Sequence, residues 1–274
     1  MTTFKSVFLI ACSVLFLIAC SQRAAETESI KKKNMTSESY HNDNEEFDNY
    51  IAQIDDSATL NLGNSLFYSH SDRTSYELTF KVNDKDQILR MTEKYTTTET
   101  GSIMSNIFYY KDKRTYASKE YFEEGVGKDA YFVERVTYYD ENSEPILTKK
   151  RTAPYENYLD QSSFKLTTTQ SCSDEKAFRA LTQHDEFETN FRGFVDEGAE
   201  RYLMVGENNK GGYETAILIQ KRTPFLRSLY QNQESKIGMK LQVTFRTMKD
   251  PAGYEYQALL GVAEVIEKQK SANH

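Results

Sequence analysis

The sequence predicts a mainly β protein: an antiparallel β-meander domain followed by a smaller OB-like five-stranded β domain, with one or two short helices. Three observations carry this. Apolar and polar residues alternate with period two in run after run. Short clusters rich in Asn, Asp, Gly and Lys separate the runs at hairpin spacing. The composition, 19 Tyr and 16 Phe against 12 Gly, 4 Pro and no Trp, suits pleated, half-buried surfaces.

The chain opens with Lys5 and an apolar stretch from Val7 to Ala19 that ends in Leu17-Ile18-Ala19-Cys20. A basic residue, a short apolar run and small residues make an export signal over 1–19, because the run is too short to span a bilayer core. The last four residues resemble the bacterial lipobox. That resemblance implies cleavage before Cys20, acylation of its thiol and new amino group, and a membrane partner reached through the acyl chains, which places the chain in the bacterial cell envelope. Ser21 rather than Asp follows, which under the Gram-negative lipoprotein sorting rule implies the outer membrane. Leu9-Ile10-Ala11-Cys12 repeats the same letters, but cleavage there would leave less than the roughly 7 to 15 apolar residues that a signal requires.

Residues 20–56 are polar and charged, with too few apolar side chains to offset the entropy of ordering, and read as a flexible tether. A coil of that length has a root-mean-square span of roughly 35 Å. Lys31, Lys32 and Lys33 within it are flanked by acids, so a solvated run is favoured over a headgroup contact.

The meander is expected over 57–170. Six strands follow one another: YELTFKV, QILRMTEKYTTT, IMSNIFYY, TYASKEYF, AYFVERVTYY and ILTKKRTA, separated by NDKD, ETGS, KDKR, EEGVGKD and DENSEP. Tyr76, Leu78, Phe80 and Val82 alternate on one face, as do Tyr131, Val133, Arg135 and Thr137. The turns beginning at Asn83, Lys111 and Asp140 lie 28 and 29 residues apart, a weak repeat of hairpins. Asp140 to Glu144 and Asn83 to Asp86 carry alternating oxygen ligands, yet Pro145 stands where a calcium loop needs Gly and Arg151 where it needs its closing acid. Both read as hairpin turns whose Asn and Asp bond the local backbone.

A linker helix is expected within 171–185, with Ser173 as its N-cap and Phe178 and Leu181 on its buried face. From 186 to 267 five strands enclose one helical insertion, KRTPFLRSLYQ, after the third. This is the element order of an OB-type Greek-key barrel, with Gly193 and Gly238 where strands must bend; an extra sheet packed on the meander is the alternative. Residues 268–274 read as a disordered tail.

The formal charge of −7 becomes −8 once 1–19 is removed. An acidic exported chain excludes a nucleic-acid partner, which demands a basic face. No His-Glu-x-x-His zinc pattern, nucleophile elbow or phosphate loop occurs, and no cofactor or metal is implied. His70 and His184 are the realistic bases for a hydrolase. Cys172, with Cys20 acylated, has no disulfide partner and reads as a small half-buried residue. From 220 to 249, Lys221, Arg222, Arg227, Lys236, Lys240, Arg246 and Lys249 face Glu234 alone, so a basic patch for an acidic protein or glycan is the candidate binding surface. The expected function is a non-catalytic binding or scaffold module with an envelope partner. The alternatives are an inhibitor or immunity protein against an envelope-active toxin, and a hydrolase using His70 or His184. Cys20→Ala should abolish incorporation of labelled palmitate while Cys12→Ala leaves it unchanged; the reverse pattern would move the cleavage site.

Overall fold

The computed structural model describes residues 37–70, 73–97, 103–125, 127–209 and 211–265. The signal, Cys20, the first part of the tether and the tail lie outside them. The chain divides into two units, 1–49 and 50–274. The described part of the first is helical, the opening of α1 (Ser37–Asp56). Among the described residues no helix is long and apolar enough to cross a membrane.

The tether expected to reach residue 56 is helical over its last twenty residues. The correction has a tertiary cause within the second unit. Ile51 and Ile54, three apart on one helical face, are buried. Lys81 Nζ donates to the carbonyls of Ile54 (2.9 Å) and Asp55 (2.8 Å), satisfying acceptors that a helix C-terminus leaves open. The Asp55 carboxylate accepts from Tyr109 OH at 2.9 Å and pairs with Arg90 (3.0 Å) and Lys119 (3.3 Å). Two apolar side chains and one acid landing on three strands hold a segment whose composition is polar.

The six predicted meander strands form as β3 (Thr74–Val82), β4 (Ile88–Thr97), β5 (Ile103–Lys111), β6 (Arg114–Glu124), β7 (Tyr131–Tyr139) and β8 (Pro145–Ala153), each antiparallel to the next. The turns are built as the residues require. Asn83 Oδ1 accepts from the amides of Lys85 and Gln87, and Asp140 Oδ1 from those of Asn142 and Glu144. Those backbone hydrogen bonds hold the Asp140 carboxyl below its ordinary range. Three short strands without an alternating signature join them: β1 (Asn61–Asn64) and β2 (Tyr68–Ser69) along one edge of β3, and β9 (Lys165–Thr167) along β8.

The barrel strands are β10 (Asn190–Glu197), β11 (Glu200–Gly206), β12 (Glu214–Leu218), β13 (Leu241–Lys249) and β14 (Glu255–Glu264). β10, β11 and β12 form an antiparallel meander, β12 meets β14 in parallel, and β14 pairs β13 antiparallel. The circle closes where Asn190 bridges Lys240, the Phe191 amide donates to the Met239 carbonyl (2.8 Å), and the Gly238 amide donates to the Phe191 carbonyl (2.8 Å). That order is an OB-type barrel. The two glycines act where a bend is needed: Gly193 takes φ +133° beside the bulge in β10, and Gly238 takes φ +84° at the turn into β13. After β12, α3 (Pro224–Gln231) starts at Thr223, whose Oγ1 accepts from the Leu226 amide (3.2 Å), and buries Leu226 and Leu229. A one-turn helix, α4 (Gln233–Lys236), follows.

The boundary expected at 171–185 is not a break. β2 pairs β3 on one side and, through Ser69 and Glu214, β12 on the other, so fourteen strands form one sheet. One buried cluster runs from Leu78, Met91 and Phe108 of the meander to Phe191, Leu203 and Ile217 of the barrel. The expected linker helix, α2 (Glu175–Thr182), contributes Ala177 and Ala180 to that cluster while Phe178 stays exposed. Small residues face inward because the helix sits close against the sheet, where the larger ring does not fit.

Phe187 touches both halves of this core. Phe187→Ala should cost about 3–5 kcal/mol and accelerate hydrogen exchange in β3–β4 and β11–β12 amides together; independent loss of the two sets would contradict a continuous core.

Candidate functional site

A cleft of about 470 Å³ lies where the meander edge meets the outer face of the barrel. Strand alternation builds its wall. In β11, Leu203 and Val205 point into the core, so Tyr202 and Met204 between them face outward into the cleft; in β12, Thr215 and Ile217 are buried while Glu214 and Ala216 face out. β11 and β12 are the second and third strands of the barrel, and Thr247, Glu255 and Tyr256 of its fourth and fifth strands join them in the lining. This is the face on which barrels of this order bind ligands. Tyr254, in the loop between the fourth and fifth strands, is 74% exposed.

The opposite wall comes from the chain around β2. Phe67 stands 45% exposed, held in place because its amide donates to Gln257 Oε1 (2.9 Å) while Gln257 Nε2 donates to the Ser65 carbonyl (2.8 Å). Asn64 hydrogen-bonds Thr247 across the cleft. Buried amide staples of this kind fix the walls before any ligand arrives.

The cleft carries carboxylates and aromatic rings. Glu77, Glu214 and Glu255 line it beside Phe67, Tyr202 and Tyr256. Lys94 lies opposite Glu77 across the β3–β4 pair, and Lys249 approaches Glu255 only to 4.0 Å. The Tyr202 hydroxyl donates to Glu200 at 2.5 Å, which pushes its pKa up to about 12. A negative, ring-lined groove attracts cations and repels phosphate backbones.

Beneath the groove the two halves are joined by a cation enclosed in rings. Lys176 Nζ, projecting from α2, lies 4.6 Å from the ring centre of Tyr95, 5.1 Å from Tyr76, 5.6 Å from Tyr213 and 5.8 Å from Phe187. Phe187 stacks on Tyr213 at 5.1 Å. At the floor, buried Glu93 accepts from Tyr76 OH (2.8 Å) and Asn106 Nδ2 (3.0 Å). Burial pushes the Glu93 carboxyl up, with Asn106, Tyr76 and Lys176 pulling the other way, and burial pushes the Lys176 amine down. Sequence reading missed these residues, because α2, β3, β4 and the chain around 187 and 213 are distant in sequence and none carries a local motif.

The seven cations expected as one patch are dispersed. Lys240 pairs with Glu188 at 2.6 Å near the barrel closure, Lys249 stands at the groove beside Glu255, and Arg246 donates to Gln220 at 3.4 Å. Lys221 is exposed after β12 and Lys236 ends α4. Arg222 and Arg227 meet at a separate small pocket beside α3. Alternation along β13 and the turn before α3 send neighbouring charges to different sides. His70 packs edge-on against Tyr213 (5.3 Å) and exposed His184 holds the Thr182 carbonyl through Nδ1 at 2.7 Å. The Cys172 thiol is pushed up by burial, which suppresses the nucleophilic thiolate. Among the described residues no group of three or more His, Cys, Asp or Glu is placed to hold a metal ion.

No protein-family model matches the chain, and no curated protein or solved structure matches it.

Because the folded pKa of Glu93 is raised, its contribution to stability is fully present below about 4.5, the unfolded value, and is lost as pH climbs through the folded value. Glu93→Gln, which does not titrate, should therefore gain stability relative to wild type as pH rises above the unfolded value of about 4.5 in urea unfolding. A difference independent of pH would show that Glu93 titrates normally.

Proposed function

We propose that this chain is a membrane-anchored bacterial envelope lipoprotein that acts by binding, and that the groove between the meander edge and β11–β12 takes a basic segment of an envelope protein. The observation that carries this reading is the placement of Glu77, Glu214 and Glu255 beside the rings of Phe67, Tyr202 and Tyr256 on the ligand face of an OB-type barrel. Carboxylates steer and pair a Lys- or Arg-bearing segment, and the rings of Phe67, Tyr202 and Tyr256 stack on guanidinium or cover an aliphatic stem. The barrel's strand order is shared with binders of oligonucleotides and oligosaccharides; the carboxylates disfavour the first of these.

Acylation at Cys20 would confine the groove near the membrane and raise the effective concentration of an envelope partner, so a contact of modest affinity suffices. The same acidic groove supports a second reading, neutralisation of an incoming basic toxin, which would meet the identical surface.

Glu214→Lys combined with Glu255→Lys should weaken retention of the partner recovered with the tagged, lipidated protein from its own envelope, by about ten- to a hundredfold at low salt, and flatten its salt dependence. Both side chains are exposed, so the fold should be untouched. Retention that ignores both the reversals and added salt would remove the groove as the binding face.

A further inference from the structure

We infer that a second, anionic-ligand site lies beside α3, formed by Arg222 and Arg227 over an apolar floor, and that it takes a small organic oxyanion: a carboxylate or phosphate head on a body no larger than one aromatic ring. The pocket measures about 160 Å³ and shares no residue with the acidic groove, so the inference stands independently of the groove's function.

Its floor is set by the barrel and its lid by the helix. Phe194 comes from the middle of β10, Ile219 directly follows β12, and Leu226 and Tyr230 lie on one face of α3, four residues apart. Tyr230 stands against the Phe194 ring at 5.6 Å, edge to face. The remaining wall is a guanidinium that is already committed. Arg201 lies over Tyr230, its guanidinium carbon 4.1 Å from the ring centre, and donates to both Asp196 oxygens at 2.5 and 2.8 Å. That fork holds the Asp196 carboxyl below its ordinary range and neutralises the one acid nearby.

Arg222 and Arg227 are different. Both are exposed at the pocket mouth, and among the described residues neither guanidinium has a hydrogen-bonded partner; Arg222 adds only its field to that of Arg201 at Asp196. With Arg201 committed to Asp196, the guanidinium groups of Arg222 and Arg227 remain at a recess that also carries the rings of Phe194 and Tyr230. A guanidinium fork matches the paired oxygens of a carboxylate or phosphate. The apolar floor rewards an attached body by removing its surface from water. The recess is too small for an extended peptide, which fixes the occupant as a small molecule.

The test is calorimetric titration of the full chain, held in an uncharged detergent, with phenyl phosphate, benzoate, inorganic phosphate and phenol, together with the ring signals of Phe194 and Tyr230. Saturable binding of phenyl phosphate or benzoate is expected, with shifts at both rings. Inorganic phosphate should bind at least about tenfold more weakly and phenol not measurably. Arg222→Ala with Arg227→Ala should abolish binding while circular dichroism and melting temperature stay unchanged. Arg222→Lys with Arg227→Lys should bind severalfold less tightly than wild type, because the charge remains without the fork. The proposal is overturned if neither organic anion binds saturably, if the alanine variant binds as the wild type does, or if inorganic phosphate matches phenyl phosphate.

Discussion

The joint between meander and barrel depends on one half-buried cation. Lys176 reaches from α2 into four rings contributed by β3, β4, the turn at 185–187 and the residue before β12, with the Glu93 carboxylate beneath. An ammonium with no carboxylate in reach would be too costly to bury, and a buried carboxylate with no cation would tend to neutralise. Together, and surrounded by ring faces and hydroxyl donors, they are tolerated. Because the five groups come from five elements, the cage is complete only when meander, helix and barrel are all in place. It therefore fixes their mutual position more than it adds net stability.

The groove inherits its shape from that joint. β2 is only two residues long, yet it hands the sheet from β3 to β12, and this brings Phe67 and Glu77 of the meander edge opposite Tyr202 and Glu214 of the barrel face. With the halves joined through a continuous core, the groove walls do not hinge. Preformed walls lower the ordering cost of binding and favour a partner that brings its own complementary charge.

Charge on this molecule is distributed by alternation more than by segment. The same barrel presents carboxylates along the outward positions of β12 and β14 and guanidinium groups around α3. A net acidic protein thus offers two faces of opposite sign, separated because adjacent residues of a strand point to opposite sides. Counting charge along the 220–249 segment registers an excess of cations but averages over faces that the fold separates, as Lys240 on Glu188 and Arg222 beside α3 illustrate.

By itself the sequence determined what depends on neighbours along the chain. The six meander strands follow from period-two alternation, the Asn83 and Asp140 turns from side chains that bond their own backbone, the helix α3 from Thr223 and Pro224, and the barrel order from five strands with one insertion. Gly193 and Gly238 were legible as bends because only the backbone there demands them. Tertiary structure alone decided the rest. Residues expected to end a tether are helical where Asp55 meets Arg90, Lys119 and Tyr109, which lie on three different strands. β1, β2 and β9 are too short to carry a period. The groove, the Lys176 cage and the pocket at Arg222 and Arg227 each assemble residues more than twenty positions apart. Burial and charge pairing between such residues exist only once the chain has closed on itself, so no local pattern in the sequence could encode them.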